Sequence, residues 1–196
     1  VFFYSDHGSG MPRHKRALLD SGMRVPLLIR LPEKYAGMAR SVVSKGDVSR
    51  LVNFEDFGPT VLSLAGFDVL PAHMTGRAFL GALDTSTRQY VFGHRDRVDE
   101  IMDMARSIRS QDYLYIRNYM PHKLYGQHVN YMFVTPTTQV WKKLFDEGKL
   151  NEAQSHFWKT KPAEELYDLQ EDPDEVKNLA KSDEHQDILN KMRKAH

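Results

Sequence analysis

The hydrophobic and polar positions divide the chain into a first part with separated apolar runs and a second part with period-two strands. Val1-Phe2-Phe3-Tyr4 is a continuous apolar run closed by the polar turn Ser5-Asp6-His7-Gly8, which predicts a strand covered on both faces and stopping in a turn. Ala17, Leu18 and Leu19 in an otherwise polar stretch form an apolar anchor for a loop or helical turn. Val25-Pro26-Leu27-Leu28-Ile29 predicts a second strand with its proline near the start, where a missing ladder donor is tolerated. Residues 32–47 carry several breakers and predict a loop. Between Asn53 and Gly66, Phe57, Val61 and Leu64 keep a helical spacing and Gly66 marks the end. Pro59 sets the start: an N-cap at Asn53 would put the ring inside the helix at about 3 kcal/mol, whereas an N-cap at Asp56 puts it in the first turn.

Residues 66–88 are rich in turns around a short apolar segment at 78–80, and a boundary is expected near residue 88. Beyond it, 89–93, 105–109 and 113–117 alternate as strands, the last two joined as a hairpin through Ser110-Gln111-Asp112. Arginines alternating with apolar residues predict a sheet with one buried and one solvated face. Val140, Trp141, Leu144 and Phe145 share the face of a helix over 137–145. Within residues 161–180 the pattern predicts a strand with inward Leu166 and Tyr167, an Asp172-Pro173 turn, and Leu179 folded back as an anchor. A last helix over 183–195 buries Ile188, Leu189 and Met192, with Ser182 as N-cap.

Composition narrows the function classes. The 196 residues hold 27 Lys+Arg against 26 Asp+Glu, a net charge of +1, enough chain for one core or two small ones. This balance argues against a nucleic-acid partner, even though the Arg and Tyr strand faces could in principle stack bases. With no cysteine, disulfides, thiolate zinc sites and thiol nucleophiles are excluded. No apolar run is long enough to span a membrane and no signal peptide is visible. A chain that opens in mid-strand on Val1 reads as part of something longer, whose N-terminal remainder would be its first partner.

The candidate chemistry begins at Asp6 and His7. On a continuing strand adjacent side chains face opposite ways, but the turn at Gly8 could bring a carboxylate oxygen and an imidazole nitrogen to one ion. The ordinary alternative is a capping aspartate beside a solvated histidine, because a metal site needs more than two ligands. Lys15, like Arg24, is by its type an ordinary surface cation. The densest ionisable run, Gly93-His94-Arg95-Asp96-Arg97-Val98-Asp99-Glu100, is either a solvated connection with weak ion pairs or a recognition loop. His94 and Arg95 are its candidate substrate contacts.

Ser5-Asp6-His7-Gly8, then Lys15, then Asp20-Ser21-Gly22-Met23-Arg24-Val25-Pro26 closely resembles the second metal-binding motif of the type I sulfatases, in the alkaline phosphatase superfamily. Phe57-Gly58-Pro59-Thr60-Val61 resembles the family's following helix, and Glu165-Leu166-Tyr167-Asp168-Leu169, Asp172-Pro173, Glu175 and Asn178-Leu179-Ala180 resemble its C-terminal signature. The resemblance implies an α/β fold: 1–88 as the C-terminal part of an alkaline-phosphatase-like α/β catalytic domain, then 89–196 as a small antiparallel-sheet subdomain with a packed C-terminal helix. It implies Asp6 and His7 as ligands of a divalent metal ion, usually calcium, Lys15 as the sulfate-binding catalytic residue, and a cleft lined by the region of His94 and Arg95. The implied activity is hydrolysis of a sulfate ester or N-sulfate, with a sulfated small molecule or glycan as partner and a periplasmic or secreted location.

The family's nucleophile is a formylglycine made from a Cys/Ser-x-Pro-x-Arg motif. No such motif occurs in this sequence; Ser9-Gly10-Met11-Pro12-Arg13 has its proline one place late. Formylglycine and the paired aspartates that complete the metal site are therefore expected from an N-terminal portion outside these residues, and the piece alone is expected to be inactive. Two other readings compete: a phosphodiesterase or phosphonate hydrolase of the same superfamily, using a transition metal, and a noncatalytic binding module.

Overall fold

The computed structural model describes residues 1–39, 48–84 and 87–196. Its strands are β1 (Phe2–Tyr4), β2 (Leu27–Ile29), β3 (Val91–Arg95), β4 (Ala105–Arg109), β5 (Tyr113–Asn118) and β6 (Glu164–Asp168). Its α-helices are α1 (Asp20–Met23), α2 (Phe57–Leu64), α3 (Asn130–Phe133), α4 (Pro136–Asp146), α5 (Glu152–Ser155) and α6 (Gln186–Ala195). The chain divides into two compact units, one made of Val1–Phe3 and Leu28–Val91, the other of Tyr4–Leu27 and Phe92–His196. The chain crosses between the units after Phe3, after Leu27 and after Val91, so the stretch carrying Asp6, His7 and Lys15 belongs with the C-terminal residues.

In the first unit, Val1 and Arg30 exchange both backbone bonds, at 2.9 and 2.7 Å, the mark of an antiparallel pair. Among the described residues β1 has only β2 beside it in its sheet, and Phe3 is 65 % exposed instead of covered on both faces. Part of the 32–47 loop forms a 3₁₀ turn, Glu33–Met38; residues 40–47 lie outside the described residues.

The expected helix is built in two steps. Asn53 caps a 3₁₀ turn, Phe54–Asp56, and α2 follows with Pro59 in its first turn. The Asp56 side chain does not cap α2. It is 2 % exposed and accepts from the Asn53 amide at 2.9 Å, the Arg77 amide at 2.7 Å and Arg88 Nε at 2.9 Å, the satisfaction a buried carboxylate requires. The buried face of α2 is Pro59, Thr60 and Ser63, while Val61 is 53 % exposed. Thr60 Oγ1 accepts from the Phe79 amide at 3.1 Å and Ser63 Oγ from the Leu83 amide at 2.9 Å. The apolar segment Ala78, Phe79 and Leu80 is thereby held fully buried.

The second unit is an antiparallel sheet of order β3-β4-β5-β6. Arg109 pairs with Leu114 across the tight β4–β5 turn, and Leu114 with Tyr167 in β6. One face carries Ala105, Leu114, Ile116 and Tyr167 and packs against Leu18 and Leu19. The other carries Ile108, Tyr115 and Leu166, all 2 % exposed or less, and α6 packs on β5 with Leu189 and Met192 buried. The sheet is thus covered on both faces, not half wet. Its arginines pair their heads with carboxylates, Arg106 with Asp96, Arg109 with Asp20 and Arg117 with Glu164. A second apolar cluster joins Ile101, Val129, Met132, Phe157 and Trp158 to Trp141 and Phe145 of α4. Val140 faces outward, 57 % exposed, so the buried face of α4 is narrower than its apolar spacing predicts.

Candidate functional site

The turn after β1 is fixed by its own backbone. Gly8 N–H donates to the Gly22 carbonyl at 3.0 Å and Ser5 Oγ to the His7 carbonyl at 2.7 Å. A Cβ on Gly8 would lie 2.2 Å from the Ser21 carbonyl oxygen, and one on Gly22 would lie 2.3 Å from that of His14. Only glycine permits these approaches. Farther along, Lys15 N–H donates to the Ser9 carbonyl at 3.0 Å and Ser21 Oγ to that of Arg13 at 2.8 Å. Arg13 and Arg16 hold φ values of 66° and 77°, a left-handed conformation that side chains rarely adopt. The loop is therefore tightly determined despite its lack of regular structure.

The loop is also tied to the C-terminal signature. Arg13 donates to the carbonyls of Asp174 and Glu175 at 3.0 and 3.1 Å, and the Asp20 amide donates to Glu175 Oε1 at 2.8 Å. Arg109 grips the Asp20 carboxylate through Nε at 2.7 Å and Nη2 at 3.0 Å. The Asp172 carboxylate closes its own turn by accepting from the Val176 and Lys177 amides at 2.8 and 2.7 Å. Asn178 bridges back to β6, accepting from the Leu166 amide at 3.0 Å and donating to the Glu164 carbonyl at 3.0 Å.

Within this frame Asp6 Oδ2 and His7 Nε2 stand 3.6 Å apart, the carboxylate exposed and the imidazole half-buried. His7 Nδ1 lies 2.6 Å from the Gly8 carbonyl oxygen. A carbonyl only accepts, so the proton of a neutral ring resides on Nδ1 and Nε2 is left unprotonated, able to act as a ligand atom. A backbone acceptor on the far nitrogen is the arrangement that orients metal-binding histidines. Two ligands of one cation held at about 2.0–2.5 Å each lie about 3–4 Å apart, so the pair fits part of a divalent ion's shell. Among the described residues no group of three or more His, Cys, Asp or Glu side chains forms a complete shell.

Lys15 follows on the same loop, half-buried, with Nζ 5.6 Å from the centre of the Tyr131 ring. Among the described residues no carboxylate pairs with it. His94 and Arg95 end β3 and therefore point to opposite faces. His94 is exposed. Arg95 turns inward, its side chain 11 % exposed, with Nε 3.7 Å from Asp103 Oδ2. Burial lowers the Arg95 pKa, Asp103 opposes this, and the nearby charge of Arg16 lowers it further. Asp103 itself is taken by the equally buried Lys161 ammonium. His94 and Arg95 line a recess together with Arg16 and Arg97. Arg16 has no sequence signal beyond standing beside Lys15.

Residues 12–129, more than half the chain, match the model of the C-terminal region of N-sulphoglucosamine sulphohydrolase. The chain is 40 % identical over 195 residues to an ulvan-active sulfatase of Formosa agariphila, covering 99 % of this chain and 31 % of that protein. It is 28 % identical over 207 residues to human N-sulphoglucosamine sulphohydrolase, covering 98 % of this chain and 39 % of that one. Among solved structures, a 2-O GAG sulfatase superposes over 100 % of this chain and 34 % of its own, with TM-score 0.65 at 24 % identity, a likeness of fold. The chain spans about a third of the length of the curated relatives it matches. With the matched segment running from the loop of Lys15 into the sheet of β3–β5, the chain belongs to the N-sulphoglucosamine sulphohydrolase C-terminal family, within the type I sulfatases.

Proposed function

We propose that this chain is the C-terminal part of a sulfatase that releases sulfate from sulfated glycans, and that it supplies half of a cation site together with a sulfate-binding lysine. The observation that carries the reading is the Asp6–His7 pair, 3.6 Å apart with the far imidazole nitrogen on the Gly8 carbonyl. Two relatives carry the names ulvan-active sulfatase and N-sulphoglucosamine sulphohydrolase, which supports a sulfated-glycan substrate. In this reading residues 1–88 extend the catalytic α/β domain, with their segment Tyr4–Leu27 packed in the compact unit of the C-terminal residues, 89–196 form its subdomain, and the remainder of the protein N-terminal to them is the immediate partner.

Asp6 and His7 would hold a divalent ion, calcium by family resemblance, which when bound supplies Lewis-acid polarisation of a sulfate oxygen. Lys15, free of any carboxylate among the described residues, offsets the negative charge on the sulfate oxygens as the bond to sulfur breaks. Tyr131 restrains the ammonium through its ring face. The chain has no cysteine and no Ser-x-Pro-x-Arg run, so no nucleophile is assigned to it.

In the full-length enzyme, Asp6→Asn and Lys15→Ala should each lower sulfate release, followed by ion chromatography, by at least about 100-fold. Wild-type turnover by either variant refutes the assignment. The imidazole nitrogen in the pair also suits zinc or manganese. Metal analysis that finds one of these, with phosphodiesters hydrolysed and sulfates untouched, would replace the sulfatase reading with the phosphodiesterase one.

A further inference from the structure

The recess beside the Lys15 loop is built from cations that the proposed chemistry does not use. It has a volume of about 370 Å³ and is lined by Arg16, Met23, Gly93, His94, Arg95 and Arg97 among others. A Cβ on Gly93 would meet Met23 Cε at 2.5 Å and Ser107 Oγ at 2.6 Å, so the glycine lets the loop and the sheet close together at its floor. Arg16 is not a loose surface arginine. Its backbone holds φ 77°, its guanidinium lies over the Tyr131 ring at 4.6 Å, and it donates to the Tyr131 hydroxyl. Two contacts to one ring restrain the guanidinium and lower the rotamer entropy a ligand would otherwise have to offset.

The charges around it are unbalanced. Among the described residues no carboxylate pairs with Arg16, His94 or Arg97. Asp96 is the carboxylate on the lining nearest to them in sequence, and it is engaged by Arg106 through two bonds, at 2.8 and 3.2 Å. Arg95 finds only Asp103, at 3.7 Å, and Asp103 already serves Lys161. Arg16 and Arg95 are close enough that the charge of one lowers the pKa of the other. Like charges held together by the fold, next to a free ring nitrogen and an exposed guanidinium, make a focused positive potential. Guanidinium forks match the two oxygens of a carboxylate or the edge of a sulfate.

Resting on the sulfatase reading, we infer that this recess binds a second oxyanion of the glycan, a carboxylate or sulfate on a sugar other than the one that loses its sulfate, with Arg16 and Arg97 as the specificity-determining contacts. The enzyme would then select polyanionic chains over singly sulfated sugars.

The test is calorimetric binding to the full-length protein at fixed ionic strength. The probes are an oligosaccharide bearing sulfate and uronate groups, its carboxyl-reduced form, and a form stripped of all sulfates except the scissile one. Wild type should bind the parent about tenfold more tightly than whichever derivative lacks the recognised group, and that derivative identifies the oxyanion. Arg16→Gln and Arg97→Gln should each erase most of this preference. Arg97 is exposed, so its variant folds even if that of Arg16 does not. Equal binding of parent and both derivatives by wild type, or an undiminished preference in the Arg97→Gln protein, overturns the inference. Sulfate release is followed in the same samples. Its absence with the binding preference intact counts against the sulfatase reading and supports the recess, so the two fail separately.

Discussion

Glu175 ties protonation to stability. Its side chain is 1 % exposed, its backbone stands at φ 54°, and Oε1 accepts the Asp20 amide at 2.8 Å. Burial raises its pKa from 4.5 to about 7; Asp20 and Asp172 push the same way, while the Asp20 amide and Arg13 oppose. An acid whose folded pKa lies above its unfolded one favours folding fully only below the unfolded value. Between pH 4.5 and 7 the unfolded chain has lost the proton and the folded chain keeps it, so stability falls as pH rises, then levels off above 7. The difference between 4.5 and 7 corresponds to about 3 kcal/mol. Glu175→Gln keeps an oxygen acceptor for the Asp20 amide and cannot ionise. In urea unfolding of wild type and variant from pH 4.5 to 8.5, the two should match at the acid end. The variant should gain up to about 3 kcal/mol over wild type by pH 8. A difference that stays flat across this range, or a wild type that gains on the variant as pH rises, refutes the reasoning.

Two further changes probe the frame of the site. Gly8→Ala forces a methyl to within 2.2 Å of the Ser21 carbonyl, whereas a Cβ on Gly10 meets nothing within 4 Å. The first should cost about 2 kcal/mol or more in thermal or urea unfolding and weaken cation binding, and the second should do neither; equal effects would mean the loop is not pinned as described. Lys161→Met strands Asp103, 3 % exposed, with Arg95 at 3.7 Å as its remaining cation. A loss of about 3 kcal/mol in urea unfolding is expected, and a loss below about 1 kcal/mol would show that Arg95 takes over the pair.

The strands of the second unit were readable because alternation and turn chemistry act locally. β4 falls on the expected residues, 105–109, and β5 runs one residue past its expected end. Coverage was not readable. Arg106 and Arg109 suggest a wet face, but whether a strand face is wet depends on what folds over it, here Leu18 and Leu19 on one side and α6 on the other. The same holds for Val61 and Val140, apolar at helical spacing yet exposed. Their helices bury hydroxyls and aromatic rings instead, because distant segments supply the partners. At the site, the adjacency of Asp6 and His7 was legible. The close approach of Gly8 to Ser21 that frames their turn joins residues 13 positions apart, a contact that no local pattern encodes.

The C-terminal signature acquires a physical role from these contacts. Asp172 forms the turn that carries Glu175, Asn178 returns the chain to β6, and Leu179 N–H donates to the Leu166 carbonyl at 2.8 Å. The turn so built presents two carbonyls to Arg13 and one carboxyl to the Asp20 amide. Both recipients flank Lys15 in the sequence. The acidic segment therefore acts as a splint, fixing the lysine-bearing loop to the sheet through residues more than 150 positions away. If Lys15 binds the sulfate as proposed, it gains from being held this way, because the ordering is complete before the anion arrives. Loosening the splint by Glu175→Ala should accordingly lower kcat more than it raises KM, whereas removing a recess contact such as Arg97 should act on binding.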